Sequence, residues 1–527
     1  MLLWLVITPI LIAVILYLLP SEKLSKKMAI AAQAVLTIAA VYIFLQCKEA
    51  AIINRIGNFE GVLGITLRAD IHASVFIMLT STIFLFASIY SYYDDMDRLF
   101  WFLLFIWEGL LIAIFLSGDF FNIFILVEAA TVVVSIQIML KRDKRSMYDG
   151  MVYLMVNTVA IQFYLFGIGY IYKLTGVLDI DAAAQAIKEI DKNALVLPYA
   201  LIITAICLKC AIMPLFSWLP KAHGTPGAPS SVSAILSGLH IKSGIYLFIR
   251  FQSVFQEIAV TEFFLIAGVI TGIAGFIMAL SQTDIKLILA YHTISQIGMI
   301  MIGLNVDDIY SRTGAIYHII NHAFFKSALF LSAGIIIQTY GTKNINEIRG
   351  VFKRIPLIGI ATMIAVLGIT GAPFFNGSIS KYFIMSGTSL TVDTAIIFIN
   401  LGTIISFIKY SAILFGSGEP QGAVKTSCFQ QLSVLVLGGF CLAGGILGEQ
   451  FIYFLFNIDV DIDTIGYLEK IVFFVLSAGA GFLIYKYFVS ANAFFKRIRE
   501  IELGFRGSCV SMGIFFAVIL IVTRLCL

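Results

Sequence analysis

Along almost the whole chain, apolar runs of spanning length alternate with short polar breaks. A helix needs about 20 apolar residues to cross a bilayer, and about 16 runs of that kind occur. They fall near residues 1–19, 28–47, 72–91, 99–117, 120–140, 148–172, 196–220, 231–250, 261–280, 286–304, 311–339, 356–388, 393–416, 430–447, 468–490 and 508–526. In hydrocarbon each backbone amide and carbonyl must be satisfied within its own segment, so each run predicts a helix. The pattern reads as an all-α polytopic membrane protein with about 14 to 16 transmembrane helices. The first run lacks a basic leader and a small-residue cleavage site, and Lys23, Lys26 and Lys27 follow it. It is expected to be a retained helix.

Two runs are interrupted. The seventh meets Pro214 shortly after Lys209, and the twelfth is broken by Gly371-Ala-Pro-Phe-Phe-Asn-Gly377 just before Lys381. Such breaks free backbone groups that only protein or a water cavity can satisfy. Interrupted helices in matching positions point to inverted repeats around a transport path. The expected division is three N-terminal helices (1–98), a first repeat of helices 4 to 8 (99–250), a second of helices 9 to 13 (261–416) and C-terminal helices 14 to 16 (417–527).

Composition agrees with lipid as the solvent: 60% of residues are apolar and 13% charged, against about 25% charged in soluble domains. The net charge of +4 is small, and no nucleic-acid motif is present. The seven cysteines are scattered. Cys207 and Cys210 have CxxC spacing, but no second pair or His cluster completes a metal or iron–sulfur set, and no nucleotide fingerprint occurs. No cofactor and no metal are expected. Of 35 basic residues, nineteen stand in loops after odd-numbered runs, among them Lys141, Lys221, Lys286, Lys425 and Arg497. Nine stand after even-numbered runs: Lys48, Arg55, Arg68, Lys173, Lys188, Lys192, Arg250, Arg312 and Lys470. The positive-inside rule then places both termini outside a cell (inner or cytoplasmic) membrane.

The remaining seven lie within runs. Lys486 and Arg524 are near helix ends and can snorkel, whereas Lys209, Lys242, Lys326, Lys381 and Lys409 are deep. A charge at the bilayer centre costs at least about 2.5–3.5 kcal/mol. Only Glu108 and Glu128 are mid-run carboxylates. Two acids cannot neutralise five ammonium groups, so some lysines are neutral, hydrated or exchanging protons. Run 11 places His318, His322 and Lys326 at i, i+4 and i+8, one polar stripe about 12 Å long. Histidine relays protons at ordinary pH; structural hydrogen bonding and a shared metal ion are the competing readings. Lys242 is the functional candidate of run 8. His240, on another face, reads as packed, as does His72. His292, followed by Thr293, Ser295 and Gln296, is open between relay and structure.

The stretches Gly118-Asp-Phe-Phe-Asn-Ile-Phe-Ile-Leu-Val-Glu128, Lys209 to Lys221, Ala228 to Tyr246, Tyr291 to Met299, Asn321 to Leu331 and Gly371 to Lys381 resemble, in order and spacing, the antiporter-like subunits of respiratory complex I. The resemblance is greatest to the D-type subunit of Mrp cation/proton antiporters and its relatives in energy-converting hydrogenases, and it covers runs 4 to 13. It implies a 14-helix core, two inverted five-helix repeats with discontinuous helices 7 and 12, and a charged axis at mid-membrane. By motif it implies that Glu128 is the helix 5 glutamate, Lys209 and Lys242 the helix 7 and 8 lysines, His322 a connecting residue of helix 11, and Lys381 the helix 12 lysine. Lys221 stands where the family often has Asp, Glu108 matches no motif, and the last two runs are an addition to the core.

The expected function is proton or cation/proton translocation by one subunit of a larger membrane complex, through Glu128, Lys209, Lys242, His292, His318, His322, Lys326, Lys381 and Lys409. The expected partners are other integral membrane subunits, with protons and Na⁺ as the candidate ions. A redox-driven pump subunit of a hydrogenase-like or complex I-like assembly is the alternative within this class. A carrier of an organic solute and a non-conducting scaffold belong to other classes. Redox chemistry by the chain itself is not expected.

Overall fold

The computed structural model describes residues 1–57, 64–94, 96–418, 426–489, 493–499 and 501–527. The chain opens with α1 (Leu2–Leu18) and α2 (Glu22–Cys47), then an antiparallel hairpin of β1 (Ile52–Ile56) and β2 (Ile65–Ala69). Next come α3 (Ile71–Ser91), α4 (Arg98–Leu116), α5 (Phe120–Ile138), α6 (Lys144–Thr175), α7 (Ile180–Ile187), α8 (Lys192–Lys209), α9 (Trp218–Gly224), α10 (Ser230–Ile235) and α11 (Ile241–Val254). The middle of the molecule is α12 (Thr261–Ser281), α13 (Ile285–Leu304), α14 (Ile309–Tyr340), α15 (Val351–Arg354), α16 (Pro356–Thr370), α17 (Asn376–Ile384) and α18 (Leu390–Ser411). The last elements are α19 (Cys428–Ile446), α20 (Gly448–Phe456), α21 (Thr464–Ile484), α22 (Ala493–Arg499) and α23 (Phe505–Leu525).

Each of the sixteen apolar runs contains or overlaps a helix. Among the described residues, fourteen helices are long and apolar enough to cross a membrane, and α1 and α16 are shorter apolar ones. Aspartates start many of them: Asp70, Asp97, Asp119, Asp143, Asp284, Asp308 and Asp463 each accept a bond from a first-turn amide. This satisfies a backbone donor that helix geometry leaves free. The continuous span through α10 and α11, with α13 and α14, forms the centre, each 94% buried over its most apolar stretch, whereas α21 is 6% buried there. The hairpin of β1 and β2, which apolar periodicity did not reveal, pairs Leu67 with Ser117 at the end of α4.

Both interrupted runs break in the same way. After α8, Ala211 N–H donates to Leu208 O, Ile212 N–H to Cys207 O and Leu215 N–H to Ile212 O. After α16, Gly371 donates to Gly368 O, Ala372 to Leu367 O and Phe375 to Ala372 O, the same bonds in the same relative positions. Ala211 and Gly371 both have positive φ, 53° and 76°. The loops are matched too: Phe120 N–H bonds Leu178 O and Ile180 N–H bonds Gly118 O, while Ile285 bonds Lys343 O and Ile345 bonds Thr283 O. Lys221 and Lys381 fall at the same distance along the chain beyond Ala211 and Gly371.

Some basic residues counted as loop residues stand inside helices: Lys221 in α9, Lys286 in the first turn of α13 and Lys470 in α21. Lys425 lies outside the described residues.

α12 packs closely along α13, and a Cβ on Gly298 would overlap the backbone of Gly268 and Gly272. Gly298→Ala is expected to destabilise the protein by about 1–3 kcal/mol through overpacking. Gly439→Ala, where added bulk meets nothing within 4 Å, is the control. Thermal unfolding of the detergent-solubilised protein reads the difference, and equal midpoints would refute it.

Candidate functional site

A row of buried polar side chains runs through the centre of the bundle. At one end, Lys209 closes α8 and donates to Thr131 Oγ1 of α5 at 2.6 Å. Glu128, one turn before Thr131, accepts from Thr158 Oγ1 at 3.2 Å, and its Oε2 is buried without a protein hydrogen-bond partner. Among the described residues no ion pair within 4.0 Å joins Glu128 to Lys209. The ammonium of Lys209 instead bonds Thr131, one turn along α5 from Glu128, so the two charges interact at longer range.

Lys242 lies just past a π-helical turn, Leu236–His240, that joins α10 to α11. Such widened turns leave carbonyls out of the regular ladder and recur at functional sites. The Lys242 ammonium donates to Ser237 O and contacts His322 Nδ1 of α14. Both side chains are fully buried. His240 faces the other way: Trp107 Nε1 donates to its Nδ1 at 3.3 Å, and its Nε2 is 3.0 Å from the Tyr153 hydroxyl. The backbone of α11 presses on Lys209 at Gly244.

From His322 the row continues one turn back along α14 to His318, their ring centroids 6.5 Å apart. His318 Nδ1 is 2.8 Å from Ser380 Oγ of α17, and its Nε2 is 3.1 Å from Gln296 Oε1 of α13. Gln296 in turn donates to Thr403 of α18 at 3.4 Å. Next to Ser380, Lys381 donates to Asn400 Oδ1 and to Ile369 O, both at 2.7 Å. Ile369 O is accessible because α16 ends there, and its C-cap Gly371 has no side chain to fill the space over which the Lys381 chain folds back. A Cβ at that position would sit 3.2 Å from Lys381 Cδ.

Three candidates stand apart from this row. Lys326 is buried one turn beyond His322 and donates to Leu289 O at 2.6 Å. His292 packs on Phe407 with ring centroids 4.7 Å apart, neither nitrogen bonded to a protein group. Lys409 caps the end of α12, donating to Leu280 O at 2.8 Å and to Gln282 O. Arg499 caps the same end through Ser281 O, so Lys409 occupies a helix C-terminus, where a cation is favoured by the exposed carbonyls. Glu108 is also away from the row, buried in α4 and accepting from Gln33 of α2 at 2.8 Å. Among the described residues no group of three or more His, Cys, Asp or Glu is placed to hold a metal ion.

The arrangement is chemically a chain of titratable groups separated by hydroxyl and amide side chains. Hydroxyls both donate and accept, so they can pass a proton between the amines and imidazoles beside them.

Residues 117–408 match the family described as NADH:quinone oxidoreductase/Mrp antiporter, TM. The D-type subunit of the Na(+)/H(+) antiporter of Alkalihalophilus pseudofirmus is 29% identical over 454 residues, 82% of this chain and 91% of that one. In fold the chain is similar to one in the Mrp complex from Dietzia sp. DQ12-45-1b, with a TM-score of 0.78, 21% identity and coverage of 94% of this chain and 99% of that one. It is also similar to a chain of the membrane-bound sulfane sulfur reductase, an archaeal respiratory membrane complex, with a TM-score of 0.80, 20% identity and coverage of 91% and 99%.

Proposed function

Because the chain belongs to the NADH:quinone oxidoreductase/Mrp antiporter family, we propose that it is the proton-translocating, antiporter-like subunit of a multi-subunit membrane complex. The observation that carries this reading is the contact of Lys242 with His322, two fully buried titratable groups from different helices, in line with His318, Ser380 and Lys381. In this mechanism Glu128 biases Lys209 toward its ammonium form, and weakening that interaction releases the proton toward Lys242. His240, whose nitrogens already bond Trp107 and Tyr153, packs beside this route as a structural histidine. The proton then passes His322 and His318 to Lys381. Lys326 and His292 flank the route, and Lys409 holds the end of α12 beside it.

The matched breaks support two inverted repeats, 99–250 and 261–416, whose equivalent elements face opposite sides because five spans separate them. With the basic loops inside, both termini are outside, the break after α8 opens inward and the break after α16 opens outward. Na⁺ is the candidate exchanged ion on the name of the A. pseudofirmus relative. The test is to reconstitute the assembled complex in liposomes and follow lumenal pH after an Na⁺ gradient or a redox substrate is supplied. Proton movement under either drive is expected, and its absence under both leaves a scaffold.

Which drive works is to be read from the partners. The chain is expected to copurify with other integral membrane subunits on gentle solubilisation. Mass spectrometry that finds small hydrophobic partners alone indicates an antiporter, and iron–sulfur or nickel subunits indicate a redox-driven pump. An active, partnerless chain would contradict the expectation.

A further inference from the structure

A cavity of about 520 Å³ lies between α17, α18 and α21. Lys381 and Asn400 line its inner part, and the exposed Asp461 and Glu469 stand at its rim. The same cavity takes in Lys470, from the second turn of α21. The Lys470 stem is partly exposed, but its Nζ is buried with no hydrogen-bond acceptor among the described residues and lies 5.3 Å from the centroid of the Tyr382 ring. An ammonium in that position is held by the ring face alone. Fixing α21 in place does not require it: Tyr467 already accepts the Phe374 amide at 3.1 Å and its ring meets that of Tyr382. A Leu or Met would fill the wall beside Tyr382 and Phe473 without burying an amine. A titratable amine, desolvated, lacking an acceptor and sharing a half-open cavity with Lys381, is what a proton acceptor at the end of a relay requires.

We propose that Lys470 is a further proton-exchanging residue, the outer terminus of the route, taking the proton from Lys381 and delivering it to water at the rim marked by Asp461 and Glu469. The inference rests on the proton-translocating reading above. In the outward step the Lys381 ammonium becomes an amine as the Lys470 amine becomes an ammonium, through the cavity water. Lys470 then returns to the amine by protonating water at the rim. The two lysines hold one proton between them, since two ammonium groups in one cavity repel, and the carboxylates at the rim attract the departing cation.

The experiment uses the intact complex in proteoliposomes. Lys470→Cys is expected to assemble normally and to lower proton flux at least about tenfold, as removal of a general acid–base group does. Treatment with 2-aminoethyl methanethiosulfonate attaches an aminoethyl group through a disulfide, releases methanesulfinate and returns a primary amine to the cavity. It is expected to restore most of the flux. Ethyl methanethiosulfonate, which returns bulk without an amine, is expected to restore none. Parental flux in untreated Lys470→Cys, equal rescue by both reagents, or no rescue by the amine after modification is verified by mass spectrometry overturns the proposal. If the cysteine variant fails to assemble, Lys470→Arg decides: it keeps the charge but does not release protons, so lost flux supports the proposal and parental flux refutes it. A parental complex that moves no protons under any drive sinks the proposed function itself, whereas a conducting parent with an indifferent Lys470 removes only this step.

Discussion

Lys209→Met is expected to reduce proton flux through the reconstituted complex on the order of a hundredfold, at unchanged levels of assembled protein. Methionine keeps the length and apolar character of the stem, and the site around it is closed by packing: Lys209 is 7% exposed and abuts α11 at Gly244. What the substitution removes is the amine and its bond to Thr131. Glu128 keeps its bond from Thr158 and can take up a proton to stay neutral, so the fold tolerates the change. Lys209→Arg separates charge from proton exchange. A guanidinium supplies the positive charge that a purely electrostatic tie to Glu128 needs, yet it does not give up a proton at accessible pH. Flux near the parental level in both variants takes Lys209 off the route, and survival in Arg alone makes it a fixed charge.

His322→Gln is the second large effect expected, a loss of at least about tenfold in flux. The Lys242 ammonium has two partners, Ser237 O and His322 Nδ1. Alanine at position 322 would delete one of them and expose the variant to a stability cost of about 1.5–3 kcal/mol for a charged group left short of a partner. Glutamine avoids that confusion, because its side-chain oxygen can accept from Lys242 but cannot carry a proton onward. Full flux in His322→Gln would reduce the histidine to a structural hydrogen bond. His240→Phe offers a contrast, since it removes both the Trp107 and Tyr153 bonds while leaving Lys242 and His322 in contact.

Apolar run length was enough to find the fourteen helices of spanning length and the two shorter apolar ones seen among the described residues, because lipid requires a closed backbone ladder wherever water is absent. The breaks were visible for the same reason: Pro214 and Gly371 cannot continue a regular ladder or do so poorly. The stripe of His318, His322 and Lys326 followed from helical spacing alone. Spacing within one helix, however, does not say what faces it. That Lys209 bonds Thr131 rather than Glu128, and that Lys409 reaches the end of α12, depends on how α5, α12 and α18 pack against their neighbours, and no local pattern records it. The π-helical turn before Lys242 has no compositional mark in Leu236-Ser-Gly-Leu-His240. Lys470 escaped because a lysine in the second turn of a membrane helix looks the same in sequence whether it snorkels outward or turns inward. Only the position of Tyr382 decides between them.

The peripheral placement of α21 has a bearing on how such proteins diverge. This helix lies outside the residues that match the family, rests mainly against α18 and exposes Leu468, Val472, Val475 and Leu476 on its outer face, yet it supplies one wall of the cavity next to Lys381. Substitutions there disturb few packed neighbours, so they carry little of the stability penalty that core changes do. The chemistry at the outlet can therefore drift between lineages while the repeated core stays fixed, and a neighbouring subunit that takes the place of lipid on the outer face of α21 would gain direct mechanical hold on that outlet.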